Sequence, residues 1–104
     1  LPYIRTTLLQ LVAIDDSNPQ YWQDLGRVQL QLQAYNDAYY ALTRAYELDR
    51  SNADVLRILT QLALRSGNLD MADQHAEQLS LLAPEDPAVK MTKAYVALRR
   101  GNHD

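Results

Sequence analysis

A segment of this chain recurs at an offset of 34 residues. Asp49-Arg50-Ser51-Asn52 repeats Asp15-Asp16-Ser17-Asn18 with one change, and Gly101-Asn102-His103-Asp104 repeats Gly67-Asn68-Leu69-Asp70 with one change. Leu25, Leu30, Ala38 and Leu48 return as Leu59, Leu64, Ala72 and Leu82. A fixed period in this range means stacked supersecondary units, each too small to bury its apolar face alone. The fold is therefore decided by what one unit contains.

One unit reads as two helices. Asn18, Asn52 and Asp86 can each accept a hydrogen bond from a first-turn amide, and Pro19 and Pro87 sit where a missing N–H costs nothing. Trp22, Leu25, Val28 and Leu32 keep helical spacing, as do Tyr35, Ala38, Leu42, Ala45 and Leu48. The two runs are separated by Gln33-Ala34. In the next unit Gly67-Asn68 stands there, a stronger stop followed by a fresh cap. Beta-branched residues never alternate, so strands have no support. The expected class is all-α, about six helices in antiparallel pairs.

This spacing resembles the tetratricopeptide repeat family. Trp22, Leu25-Gly26, Tyr35, Ala38, Leu42, Ala45 and Leu48 fall at the signature positions, with Asp49 before the next turn. In the second unit Leu56 replaces the tryptophan and Thr60 the glycine, while Leu69, Ala72, Ala76, Leu82 and Pro84 fit. Small residues at Gly26 and Ala38 let paired helices approach closely. The resemblance implies an α-solenoid forming one domain over residues 1–104: half a repeat (1–18), repeats 19–52 and 53–86, and half a repeat (87–104). That phase suggests an excerpt of a longer array. It also allows the unpaired end helices to complete each other between molecules, through Leu8, Leu11 and Ile14 at one end and Met91, Tyr95 and Leu98 at the other. Lys90 and Lys93 fall where earlier repeats have core residues, so either the last helix packs loosely, or it lays lysine stems on apolar surface with the charged heads in water, or the register slips there.

Chemistry finds little purchase. There is no cysteine, and three glycines cannot build a phosphate cradle. His75 lies near Asp73 and Glu77, with Asp70 on the same run, which reads as a solvated acidic face rather than an ion site; His103 reads as a tail residue. No nucleophile elbow is present. Neither enzyme activity, metal nor cofactor is expected. A net charge of −3 argues against a nucleic-acid partner. The most apolar stretch, Leu8 to Ile14, is too short to insert in a bilayer. The start at Leu1 implies trimming or excision, so the compartment could be cytoplasmic or periplasmic. Tyr35, Tyr39 and Tyr46 should be core, and Tyr40 exposed.

In the family the first helix of every repeat lines a concave surface. Carried over, this implies a peptide-binding groove of Gln23, Arg27 and Gln31, then Arg57, Gln61 and Arg65, then Met91, Tyr95 and Arg99, bordered by Leu30, Leu64 and Leu98. These helices, with Arg100 just after the last, hold seven of the ten basic residues but only Asp24 and Asp54 of the thirteen acids. The expected role is a non-catalytic protein-interaction scaffold for an acidic or carboxylate-bearing peptide segment. Gln23 and Arg27 replace the lysine and asparagine of members that clamp a chaperone's terminal carboxylate, a departure from that specificity. Two alternatives remain open. One is self-assembly into a homo-oligomer through the terminal helices. The other is a client-holding accessory domain of a bacterial maturation or secretion complex, suggested by the generic likeness of Trp22 to Arg27 to repeat modules of cytochrome c maturation proteins.

Overall fold

The computed structural model describes residues 2–101. Six helices follow in order: α1 (Pro2–Ile14), α2 (Pro19–Gln31), α3 (Tyr35–Leu48), α4 (Ala53–Arg65), α5 (Leu69–Leu82) and α6 (Pro87–Arg99). Among the described residues there is no strand. The chain divides into two compact units, Leu1–Val55 and Leu56–Asp104, the division falling in the first turn of α4.

The helix starts are fixed by the caps foreseen above. Asn18 Oδ1 accepts from the Gln20 amide at 2.9 Å and Asn52 Oδ1 from the Val55 amide at 3.2 Å. Asn68 Oδ1 accepts from the Met71 amide at 3.1 Å and Asp86 Oδ1 from the Ala88 amide at 2.9 Å. Before α2 and α4 the chain turns on a shared device. Asp15 Oδ1 accepts from the amide and hydroxyl of Ser17, and Asp49 Oδ1 from those of Ser51. These bonds hold the Asp49 carboxyl below its ordinary value, the Ser51 hydroxyl first and its amide second.

The turns inside the repeats are superimposable in their bonding. In the first, the amides of Leu32, Gln33 and Ala34 donate to the carbonyls of Val28, Leu30 and Gln29; in the second, those of Ser66, Gly67 and Asn68 donate to Leu62, Leu64 and Ala63. Gly67 supplies the left-handed residue at φ +78°, and Gln33 takes the same region at φ 61° with a side chain attached. The difference between the two breaks is therefore one of strain and capping, since Ala34 has no side chain to cap α3.

In the first unit Leu8 and Val12 of α1, Leu25 of α2 and Ala41 of α3 form a buried cluster, with Leu11, Tyr21, Trp22 and Val28 packed against it. Gly26 is small for a reason: a Cβ there would lie 2.6 Å from Leu42 Cγ. Leu42 is itself fully buried, and a leucine so placed contributes roughly 1.5–3 kcal/mol. In the second unit α4 buries Leu56, Leu59, Thr60, Leu62 and Ala63, and α5 buries Ala72, His75, Ala76 and Leu79. Thr60, at the position of Gly26, returns its hydroxyl proton to the Leu56 carbonyl at 2.7 Å and so buries no unmet donor. From α6 come Val89, Thr92 and Val96.

One expectation changes and two gain detail. The half-buried Tyr35, Tyr39 and Tyr46 flank the core rather than fill it, while Tyr40 is exposed as expected. His75 is buried, and burial holds its imidazole below the ordinary value. Asp70 and Glu77 are exposed, as a solvated acidic face requires, and they meet cations there: Asp70 pairs with Arg100, and Glu77 with Lys93, whose Nζ also lies 4.0 Å from Asp73. Lys93 is half-buried and Lys90 exposed, because α6 buries Val89, Thr92 and Val96 instead of the lysine positions. His103 lies outside the described residues.

Candidate functional site

The residues singled out for a groove divide by environment. On α2, in the first unit, Arg27 and Gln31 are exposed and Leu30 is half-buried. Gln23 is buried, and its Oε1 accepts from Asn52 Nδ2 at 3.0 Å. In the second unit, Gln61 and Arg65 of α4 are exposed and Leu64 is half-buried. Arg57 reaches Asp86 Oδ2 with both Nε (2.9 Å) and Nη2 (2.7 Å). On α6, Met91, Leu98 and Tyr95 are 71%, 65% and 40% exposed. Arg99 donates to the Tyr95 hydroxyl at 2.9 Å and lies over its ring, 5.6 Å from the centroid.

Gln23–Asn52 and Arg57–Asp86 are the same contact in successive repeats, each spanning 29 residues. In both, a residue early in one first-type helix holds the side chain that caps the next first-type helix. Asp86 is thus bonded twice, at Oδ2 by Arg57 and at Oδ1 by the Ala88 amide, and both bonds hold its carboxyl below the ordinary range, Arg57 first. The stripe positions Gln23 and Arg57 are clasps within the fold. Their partners Asn52 and Asp86 were read only as caps. The signal that could have found the second role was the repeated separation, masked because the pair is neutral in one repeat and ionic in the next.

Pairing also changes the electrostatics. Of the seven cations assigned to the first-type helices, Arg57, Lys93 and Arg100 face carboxylates of their own chain. The exposed cations on the predicted stripes are Arg27, Arg65 and Arg99. In the second unit, α4 exposes Arg65, and α6 exposes Arg99 together with Met91, Tyr95 and Leu98.

Elsewhere, Trp22 donates its indole N–H to the Asp16 carbonyl at 2.8 Å, meets the Tyr40 ring edge-on at 5.9 Å, and lies under Arg44. An open hollow of about 440 Å³ is lined by Gln33, Ala34, Tyr35, Asn36 and Asp37 at the α2–α3 turn, and no predicted groove residue lines it. Among the described residues, no three His, Asp or Glu side chains are grouped to hold a metal ion, and no helix is long and apolar enough to cross a membrane.

Comparison with known proteins agrees with this reading of the fold. A tetratricopeptide repeat family model matches residues 29–95, more than half of the chain. No curated protein matches. The solved structure of MamA is similar with a TM-score of 0.85 at 21% identity, covering 93% of this chain and 57% of that one. The chain thus spans little more than half the length of that relative. The second repeat domain of human RPAP3, solved in complex with the HSP70 peptide SGPTIEEVD, matches with a TM-score of 0.76 at 22% identity over 88% of this chain and 77% of that one. The Yersinia enterocolitica type III secretion translocator chaperone SycD matches with a TM-score of 0.79 at 15% identity, covering 93% and 72%. Repeat spacing, caps, turns and family model converge, and the chain belongs to the tetratricopeptide repeat family.

Proposed function

We propose that this chain is a non-catalytic protein-interaction scaffold that holds an acidic peptide segment on the exposed faces of α4 and α6 in its second unit. The observation that carries the proposal is the surface of α6. Met91, Tyr95 and Leu98 stand in water on one face beside Arg99, where an isolated soluble helix would be expected to place polar residues. Arg65 on α4 adds an exposed guanidinium within the same unit. Guanidinium groups suit carboxylates because their paired donors match the two oxygens. The peptide bound by the human relative, SGPTIEEVD, is itself acidic and carries apolar side chains, which supports the class of ligand.

Arg57 is not assigned to the ligand, because its donors are directed at Asp86. The test is calorimetric titration of the chain with a short acidic peptide, comparing wild type with Arg65→Glu and Arg99→Glu. The double variant should bind about tenfold more weakly or worse. Wild-type affinity should fall as salt rises. Equal affinity for wild type and double variant would remove the electrostatic basis of the proposal.

A further inference from the structure

The first unit gathers two aromatic rings and a set of charges on a face turned away from the predicted groove. At about 100° per residue, Trp22 lies about 140° from Arg27 and about 180° from Gln31 around α2, the two exposed groove positions of that helix. On α3, Asp37, Tyr40, Arg44 and Glu47 follow at steps of three, four and three residues and share an arc of about 80°, away from the buried Ala38, Ala41, Leu42 and Ala45. Both α1 and α3 pack against α2, yet Tyr40 is 62% exposed. Its ring meets the half-buried Trp22 edge-on. Arg44 lies over the Trp22 ring while donating to Glu47 Oε1 at 2.9 Å. The bond from the Trp22 indole to the Asp16 carbonyl sets the exposed Asp16 at the margin of the same rings.

The charge beside these rings has one sign. The unit Leu1–Val55 holds four arginines against seven acids, and so carries the whole net charge of −3. Arg27 lies across α2, Arg44 is taken up by Glu47 and Trp22, and Arg50 lies over Tyr46. Asp16 and Asp37 are exposed, and no cation among the described residues pairs with either. Tryptophan, tyrosine and arginine are also the residue types that most often dominate a binding surface, since each buries a large area and keeps a polar end for orientation. An acidic ligand is repelled from such a face. A ligand cation is drawn to it twice, by the carboxylates and by the exposed ring.

We infer that the Trp22–Tyr40 ring pair, bordered by Asp16 and Asp37, is a second docking surface, which takes a short basic segment of a partner protein. The stem of a ligand arginine or lysine lies along the Tyr40 ring, and Asp37, one turn away, receives the charge. From Asp37 to Glu47 α3 runs about 15 Å, which an extended peptide at ~3.3 Å per residue covers with about five residues. This goes beyond the acidic ligand proposed for α4 and α6: the ligand charge is opposite and the residues belong to the other unit. Two surfaces of opposite preference let one small chain hold two segments without competition between them.

Trp22 is the single tryptophan of the chain, so its fluorescence reports from within the proposed surface. The full chain is titrated with a peptide of about eight residues in which arginines alternate with apolar residues, and with a twin carrying glutamate for arginine. Affinity is read by calorimetry and location by Trp22 emission. The arginine peptide should shift the emission and bind at least about tenfold more tightly than its twin. Tyr40→Ala, an exposed change, should weaken it about tenfold, while Tyr40→Phe, which keeps the ring, should stay within about twofold. Asp16→Asn with Asp37→Asn should weaken it and reduce its salt dependence. Arg44→Gln, which removes the one cation from the patch, should tighten it, a gain that no loss of structure would produce. Arg65→Glu with Arg99→Glu should leave it unchanged, which separates this surface from the one proposed for acidic peptides. Equal binding of the twin, or weaker binding by Arg44→Gln, would overturn the basic character of the ligand. Binding with no change in Trp22 emission, or full affinity in Tyr40→Ala, would overturn the location. An emission shift that grows with protein concentration alone, together with rising mass, would make a second copy the occupant and overturn the inference. Failure of the acidic-ligand reading would show instead as no binding by the glutamate twin to any form of the chain.

Discussion

Gln29 is the residue at which this fold departs furthest from its own economy. It is buried on α2, and its Oε1 has no hydrogen-bond partner. A buried carbonyl oxygen left unmet costs about 1–3 kcal/mol, whereas a side chain of similar size without the amide has no such debt. Gln29→Leu should therefore stabilise the chain by about 1–2 kcal/mol, seen as a higher urea midpoint with an unchanged slope. A lower midpoint would show that the amide nitrogen holds something the gain cannot offset. At the same scale lies the lesson of Gln23 and Arg57. A polar residue on a helical stripe has two ways to be satisfied, by solvent or ligand, or by a capping group elsewhere in the fold. Composition along one helix does not distinguish them, which is why both were assigned to a groove. His75 differs in burial from its sequence neighbours for a related reason. Asp73 and Glu77 are its neighbours in sequence, but residues two apart on a helix do not share a face, so the acids are outside while the imidazole is buried.

At the scale of the element, nearly everything was legible, because helix limits depend on local chemistry. Asn18, Asn68 and Asp86 cap as their side chains allow, and Pro19 and Pro87 stand in first turns. The break at Gln33-Ala34 was visible only through its counterpart Gly67-Asn68, since neither glutamine nor alanine announces a left-handed turn or a cap. The identical bonding of the two turns makes a direct experiment possible. Gln33→Gly relieves the positive φ, and Ala34→Asn offers a side-chain oxygen to the first turn of α3. Together they should raise stability by about 1–2 kcal/mol. If the double variant melts no higher than wild type, the first turn is not strained relative to the second. The register of α6 was harder to read. Counting by 34 put Lys90 and Lys93 at positions that are core in earlier repeats, but a helix that buries one face turns the residues that suit that face, here Val89, Thr92 and Val96, toward it.

For the molecule as a whole, three displaced titrations, those of His75, Asp49 and Asp86, set a two-step response to acid. His75 is held below its ordinary value of 6.5 by burial, so as pH falls through that value the unfolded chain takes up a proton first and stability declines. Asp86 is held below its ordinary 3.8 chiefly by Arg57. Its contribution is complete above the ordinary carboxylate range and is lost as pH falls through the lowered folded value. Urea midpoints measured against pH should show both declines. His75→Gln should flatten the upper one. Arg57→Gln with Asp86→Asn, which copies Gln23–Asn52, should keep the helix start but make the lower one shallower, leaving the share due to Asp49. An unchanged lower decline in that double variant would mean other carboxylates control it. The same pair has a direction. In each repeat the holding residue precedes the capping residue by 29 positions, so a chain emerging from synthesis has the grip in place before the helix start it secures is made. Beginning a helix is its costly step, and here each new beginning is met by a repeat already assembled, so that growth from the amino end is eased at every stage by what came before.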